Sequence, residues 1–140
     1  MAMSFMQIAE EAMAQVEGIS AAEVQQRMNQ EPNALLVDVR DAADIPSTGL
    51  ATGGLNISLG MLPVRADLEL PEDWREPRLQ DRSLPVITAC QLGPNGAIGA
   101  KILRTWALQT SAIWKEVWKP GKPLAFRPTS PDGLNLFLLV

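Results

Sequence analysis

VITACQLGPNGAIGAKIL, residues 86–103, passes from an apolar, β-branched run through a glycine-bearing turn into a helical pattern, and it holds the only cysteine of the 140-residue chain. The apolar part begins upstream as LPVITA, residues 84–89, and ALLVDV, residues 34–39, reads the same way. Both runs are continuous rather than alternating, as expected for strands covered on two faces inside a mainly parallel sheet. A helix is predicted over Gly96–Leu108, with Ile98, Ile102 and Trp106 on one face, Leu103 beside them, and Lys101 and Arg104 outward. Strands alternating with helices indicate an α/β, three-layer arrangement: a mainly parallel central sheet flanked by helices, with ligands gathering at the carboxyl ends of its strands. Cys90 stands at such an end.

Upstream, Phe5, Ile8, Ala9, Ala12, Met13 and Val16 recur at spacings of three and four, which predicts an amphipathic helix over 5–16 with Glu10, Glu11 and Gln15 in water. Ser20 and Glu23 match a capping box before Val24 and Met28, so a second helix follows Ser20 and stops at Pro32 and Asn33. Between the two strands lie the turn STGLATGG, the short segment LNISL as a candidate third strand, and a stretch from Pro71 to Pro77 that reads as loop or irregular helix.

The length suits one core. A net charge of −4 without any basic run speaks against nucleic-acid or membrane-surface binding. The N-terminal MAMSFMQIAEEAMAQV carries glutamates where a signal peptide is apolar, and no run is long enough to span a bilayer, so the expected location is cytoplasmic. With one cysteine and no histidine there is no internal disulfide, no Ser-His-Asp triad, no Cys-His pair and no histidine-ligated zinc. No metal and no cofactor is expected. Gly99-Ala100-Lys101-Ile102 fails the phosphate-loop pattern, and the dinucleotide pattern fails with it.

Two readings of Cys90 stand side by side. A cysteine just ahead of a helix N-terminus meets unpaired amides and the positive end of the helix dipole, which favour a thiolate. Gly93 and Gly96 allow the turn to point successive amides inward as an anion nest, from which Pro94 subtracts one. Equally, a free cysteine is often a small buried hydrophobe. Asp38, Arg40 and Asp41 carry charges that at a strand end tie loops together more often than they touch substrate, as surface pairs of small energy. Trp106, Trp114 and Trp118 read as core and rim packing rather than a stacking surface.

The succession ALLVDVRDAADI, GLNISLGML, LPVITACQLGPNGAIGAKIL and KEVWKPGKPL resembles the rhodanese (sulfurtransferase) domain, over roughly residues 20–124. Asp38-Val39-Arg40, Asn56-Ile57-Ser58, Cys90 and Trp118 match the family's strand end, its N-I-P-like segment, its active cysteine and its late tryptophan, in order. The chain is accordingly expected to divide into an N-terminal helix at 1–19, the rhodanese-like domain that the resemblance implies at 20–124, and a C-terminal extension at 125–140. The resemblance implies Cys90 as nucleophile, an anion-binding loop of Gln91, Leu92, Gly93, Asn95 and Gly96, supporting roles for Asp38 and Arg40, and small sulfur-containing donors and acceptors as partners. The family's loop commonly reads C-x-x-G-x-R-S; here Asn95 replaces the arginine and Gly96 the serine. A neutral amide lacks the guanidinium's charge and bidentate fork, so thiosulfate is expected to bind more weakly. The upstream G-H-I-x-G-A signature reads Gly49-Leu50-Ala51-Thr52-Gly53-Gly54, and the glycine pair before the late tryptophan is absent. These departures leave, as alternatives, a catalytically weakened binding or redox-sensing module and an oxyanion reductase or phosphatase of the same fold. The apolar tail LNLFLLV needs a covering surface, on its own sheet or across a homodimer.

Overall fold

The computed structural model describes residues 1–51, 53–91 and 93–114. In chain order the elements are α1 (Phe5–Met13), β1 (Gly18–Ile19), α2 (Ala21–Gln30), β2 (Leu35–Asp38), α3 (Ile45–Thr48), β3 (Leu55–Asn56), α4 (Leu62–Ala66), β4 (Pro85–Ala89), α5 (Pro94–Thr105) and β5 (Gln109–Trp114). The five strands form one sheet in the order β1-β5-β4-β2-β3, and every pairing is parallel. The α/β class and the sheet predicted from the two apolar runs are therefore present, and LNISL contributes the two-residue β3.

Each face of the sheet buries its own set of side chains, which is why the strands show no polar alternation. Leu36, Ile87, Ala89 and Ala112 pack with Ile19 and Val24 on the α2 side. Val37, Val39 and Val86 pack with Leu62, Ala66 and Leu103 on the α4 and α5 side, where Ala12, Val16, Ala97, Ala100 and Ile113 continue the layer under α1. Both long N-terminal helices start in capping boxes. Ser20 Oγ accepts from Glu23 N–H at 3.3 Å while Glu23 Oε2 accepts from Ser20 N–H at 2.7 Å, as read from the sequence. Ser4 and Gln7 make the same exchange ahead of α1.

Two stripes differ from the predicted ones. In α1 the buried positions are Ala9 and Ala12, whereas Phe5, Ile8 and Met13 stay 53%, 37% and 36% exposed, and the helix ends at Met13 rather than 16. In α5 the buried face is Gly96, Ala97, Gly99, Ala100 and Leu103, with Ile98, Ile102 and Trp106 half-buried at its margin. The reason is distance: small residues let α5 lie close on the sheet, and a Cβ at Gly99 would stand 3.0 Å from Val39 Cγ1 and 3.2 Å from Leu62 Cδ1. Bulkier side chains then fit only at the sides of the contact.

The stretch from Pro71 to Pro77 forms 3-10 turns, Glu72–Trp74 and Pro77–Leu79. It is held by arginines donating to backbone carbonyls, among them Arg65 Nη1 to Trp74 O at 2.9 Å and Arg82 Nη1 to Leu79 O. The predicted roles of Leu92, Trp118 and the extension at 125–140 fall outside the described residues.

α5 closes with two reverse bonds, Leu108 N–H to Leu103 O at 3.2 Å and Ala107 N–H to Arg104 O at 3.0 Å, the pattern that places one residue in the left-handed region. That residue is Ala107, with φ of 60°. An L-residue with a Cβ costs about 1–2 kcal/mol there, partly offset by the greater freedom glycine loses on folding. Ala107→Gly should therefore raise unfolding stability by about 0.5–1 kcal/mol, read as a higher denaturant midpoint at unchanged slope.

Candidate functional site

The chain leaves β2 toward β3 on one side and later enters β4 on the other, so the neighbouring carboxyl ends of β2 and β4 flank a crevice where the strand order reverses. Val39 N–H donates to Ala89 O at 2.9 Å, which sets the residues after β2 beside those after β4. Cys90 and Arg40 thus lie at the same carboxyl end of the sheet. Among the described residues no group of three His, Cys, Asp or Glu side chains is placed to hold a metal.

Arg40 and Asp38 are both buried, and their contact is a true inward pair rather than the surface pair expected. Arg40 Nε lies 3.0 Å from both carboxylate oxygens, Nη2 lies 2.5 Å from Asp38 Oδ2, and the Arg40 amide donates to Asp38 Oδ1 at 3.0 Å. The guanidinium then reaches Thr48 Oγ1 at 2.6 Å and Gly49 O at 3.0 Å, tying the end of α3 to β2. Asn56 Nδ2 donates to Asp38 O and Arg40 O at 3.0 and 2.9 Å, adding the end of β3. The hydrogen bond to Asp38 holds the Arg40 guanidinium above its ordinary range; burial opposes this, and the negative charges of Asp38, Asp44 and a Cys90 thiolate add to it. Asp41 is exposed and supplies no side-chain cap.

Cys90 is half-buried, between the two readings the sequence left open. Its lower side packs against the core that holds Val39 and Leu62. Its sulfur accepts the Gly93 N–H at 3.0 Å. Gly93 takes φ of 95°, a conformation that a side chain resists, and it is the N-cap of the twelve-residue α5. Pro94 follows at the first helical position, where a missing N–H is harmless. Gly96 is buried against the cysteine: a Cβ there would lie 3.6 Å from Cys90 N and 3.7 Å from Cys90 Sγ. Gln91 and Asn95 are exposed on the rim.

The structure therefore brings Cys90, Gly93, Gly96, Asp38 and Arg40 to the carboxyl ends of β2 and β4, with Gln91 and Asn95 exposed beside them. Two polar side chains that the sequence analysis passes over also act here. Thr48 receives the guanidinium of Arg40, and Thr88, fully buried, donates to Gly96 O at 2.7 Å. For Thr88 the available signal is a hydroxyl inside an otherwise apolar strand, which must find a partner.

The sequence matches the family model of the rhodanese-like domain over residues 20–118. No curated protein sequence matches significantly. The fold is similar to that of a protein of unknown function from Rhodopseudomonas palustris described as a possible tyrosine phosphatase, with a TM-score of 0.73 and 21% identity over 84% of this chain and 87% of that one. It is similar to a human single-domain sulfurtransferase, with a TM-score of 0.56 and 22% identity over 72% and 90%. The homodimeric polysulfide-sulfur transferase of Wolinella succinogenes gives a TM-score of 0.60 and 22% identity over 81% and 77%. At these identities the likeness concerns the fold. Among the described residues no helix is long and apolar enough to cross a membrane.

Removing one partner of a buried ion pair strands the other charge, at about 3–5 kcal/mol. Arg40→Met should lower unfolding stability by about that amount, whereas Asp38→Leu combined with Arg40→Met should recover most of it. Urea denaturation of the two variants beside the unsubstituted protein measures both changes.

Proposed function

The chain belongs to the rhodanese-like domain family, and from that premise we propose that it is a sulfurtransferase in which Cys90 carries the sulfur. The Cys90 thiolate attacks the outer sulfur of a sulfane donor, thiosulfate or a persulfide. A new S–S bond forms, the donor's S–S bond breaks, and sulfite or a thiolate leaves with the electron pair. A nucleophilic acceptor then attacks the outer sulfur of the Cys90 persulfide, and the Cys90 thiolate departs as leaving group. The sulfur moves without net oxidation, so neither half-reaction needs a redox cofactor.

The observation that carries this reading is the Gly93 N–H on Cys90 Sγ at 3.0 Å. This donor is aimed at the sulfur from the N-terminal end of α5, where aligned peptide dipoles meet a negatively charged reactant or leaving group favourably. The half-buried setting of Cys90 suits a group that must meet small reactants while its base stays fixed by packing. Asp38 and Arg40 support the site by holding the neighbouring strand end, since the guanidinium is already bonded to Asp38, Thr48 and Gly49. Gln91, Asn95 and Gly96 complete the anion loop.

Incubation with thiosulfate or another sulfane donor should add one sulfur to the intact mass, and the protein should pass it to cyanide. Cys90→Ser should lose both the adduct and the turnover. A stable adduct without turnover marks a carrier rather than an enzyme, and the absence of both adduct and turnover removes the sulfur-transfer reading in favour of a binding module. A second expectation concerns the rim. Asn95→Arg should raise kcat/KM for thiosulfate about five- to tenfold, because a charge-assisted hydrogen bond exceeds a neutral one by about 1 kcal/mol. Steady-state assays over a range of thiosulfate concentrations measure the ratio; an unchanged or lower value means that the site serves a different donor.

A further inference from the structure

Thr88 is the one fully buried polar residue on β4, two positions before Cys90. On either side the strand is paired, with Val37 of β2 and Ile113 of β5 as its register partners, so its backbone has little room to shift. Alternation along the strand puts its side chain on the face of Val86, toward α5. A hydroxyl buried there without a partner costs about 1–3 kcal/mol, so its hydrogen bond is compulsory rather than optional. The partner is Gly96 O at 2.7 Å, a carbonyl in the first turn of α5.

That single bond joins the two ends of the cysteine loop, and further bonds continue from it. Ala97 N–H, on the peptide that carries the Gly96 carbonyl, donates to Gly93 O at 3.0 Å. Gly93 N–H in turn donates to Cys90 Sγ at 3.0 Å. The first turn of α5 meanwhile lies against the cysteine's own backbone at Gly96. A rigid strand, a helix turn and the sulfur are thereby linked in sequence, with the Thr88 hydroxyl at the fixed end.

We propose that Thr88 is a positioning residue for Cys90, its hydroxyl pinning the first turn of α5 so that the Gly93 amide stays on the sulfur. The hydroxyl touches neither the sulfur nor any reactant; it acts through Gly96 and Gly93. Its loss frees the turn to drift by a few tenths of an ångström, which is enough to weaken an N–H···S contact while the helix stays folded. This deepens the reading of Cys90 as the sulfur carrier and rests on it for the consequence in sulfur transfer.

The test uses the full chain, whose single cysteine makes alkylation unambiguous. Thr88→Val keeps the shape and deletes the hydroxyl, and Thr88→Ser keeps the hydroxyl. Iodoacetamide alkylation is followed across pH for both variants and the unsubstituted protein, beside thermal melts. Thr88→Val should move the alkylation profile to higher pH by about half a unit or more, with Thr88→Ser restoring it. An unmoved profile in Thr88→Val, even with a lower melting temperature, reduces Thr88 to a stability role and overturns the proposal. If Thr88→Val does not fold, Thr88→Ala supplies the same comparison. Independently, the Gly93 amide resonance of the unsubstituted protein should shift with the same pH dependence as alkylation, and a resonance that stays still overturns the proposal too. Should the unsubstituted protein transfer no sulfur, the sulfurtransferase reading falls while the alkylation comparison still decides the role of Thr88.

Discussion

The closeness of α5 to the sheet is the constraint on which the rest of this structure depends. With Gly96, Ala97, Gly99 and Ala100 on its buried face, the helix presents almost no side chain to the strands beneath it. Its axis can therefore approach until Val39 and Leu62 fill the space a Cβ at Gly99 would occupy. Two consequences follow from one distance. The helix N-terminus is lowered onto the end of β4, where Gly93 N–H meets Cys90 Sγ. At Ala97 and Ala100 the helix also takes α1 on the same small-residue principle, through Ala12.

Around this arrangement the charged and neutral donors divide the work. The Asp38–Arg40 pair, Thr48, Gly49 and Asn56 form a knot that binds the ends of β2, α3 and β3. A buried pair of this kind survives because its donors and acceptors are met several times over, which offsets desolvation. The guanidinium is thus committed inside the protein, and what directly faces the sulfur is a backbone amide. Backbone donors have an advantage in such a place: they are fixed by the helix and the turn, so no side-chain freedom has to be lost when an anion forms.

The sequence is most legible where a pattern reports burial directly. Continuous apolar runs mark β2 and β4, Ser20 with Glu23 marks the start of α2, and the cysteine's place between strand and helix marks the end of the sheet where the candidate site lies. It is less legible where the structure depends on distance. Hydrophobic periodicity points to Phe5, Ile8 and Met13 in α1 and to Ile98, Ile102 and Trp106 in α5, yet close helix contact selects the alanines and glycines instead. β1, two residues long, arises from backbone pairing that no side-chain pattern announces, whereas the apolar LNISL does mark the equally short β3. For Arg40, residue type suggests a surface pair, and only the placement of Thr48, Gly49 and Asn56 around it makes burial tolerable. For Cys90 the two readings were both partial: its flank packs in the core while its sulfur accepts a hydrogen bond at the edge.

The two glycines of the helix's buried face teach different things about the loop. At Gly99 the neighbours stand so close that a side chain must displace Val39 or Leu62, so packing alone explains the residue. At Gly96 a Cβ would meet its nearest atoms at 3.6–3.7 Å, ordinary contact distances, so packing does not demand glycine there. The departure from the family's serine at that position is therefore not a requirement of the fold. It leaves the flank of Cys90 Sγ facing Gly96 without a side chain or a hydroxyl. Together with Asn95 at the rim, this makes the loop a site whose polarity comes from main-chain amides. The amide seen on the sulfur is that of Gly93, ahead of a helix whose first turn is tied to β4 by the Thr88 hydroxyl.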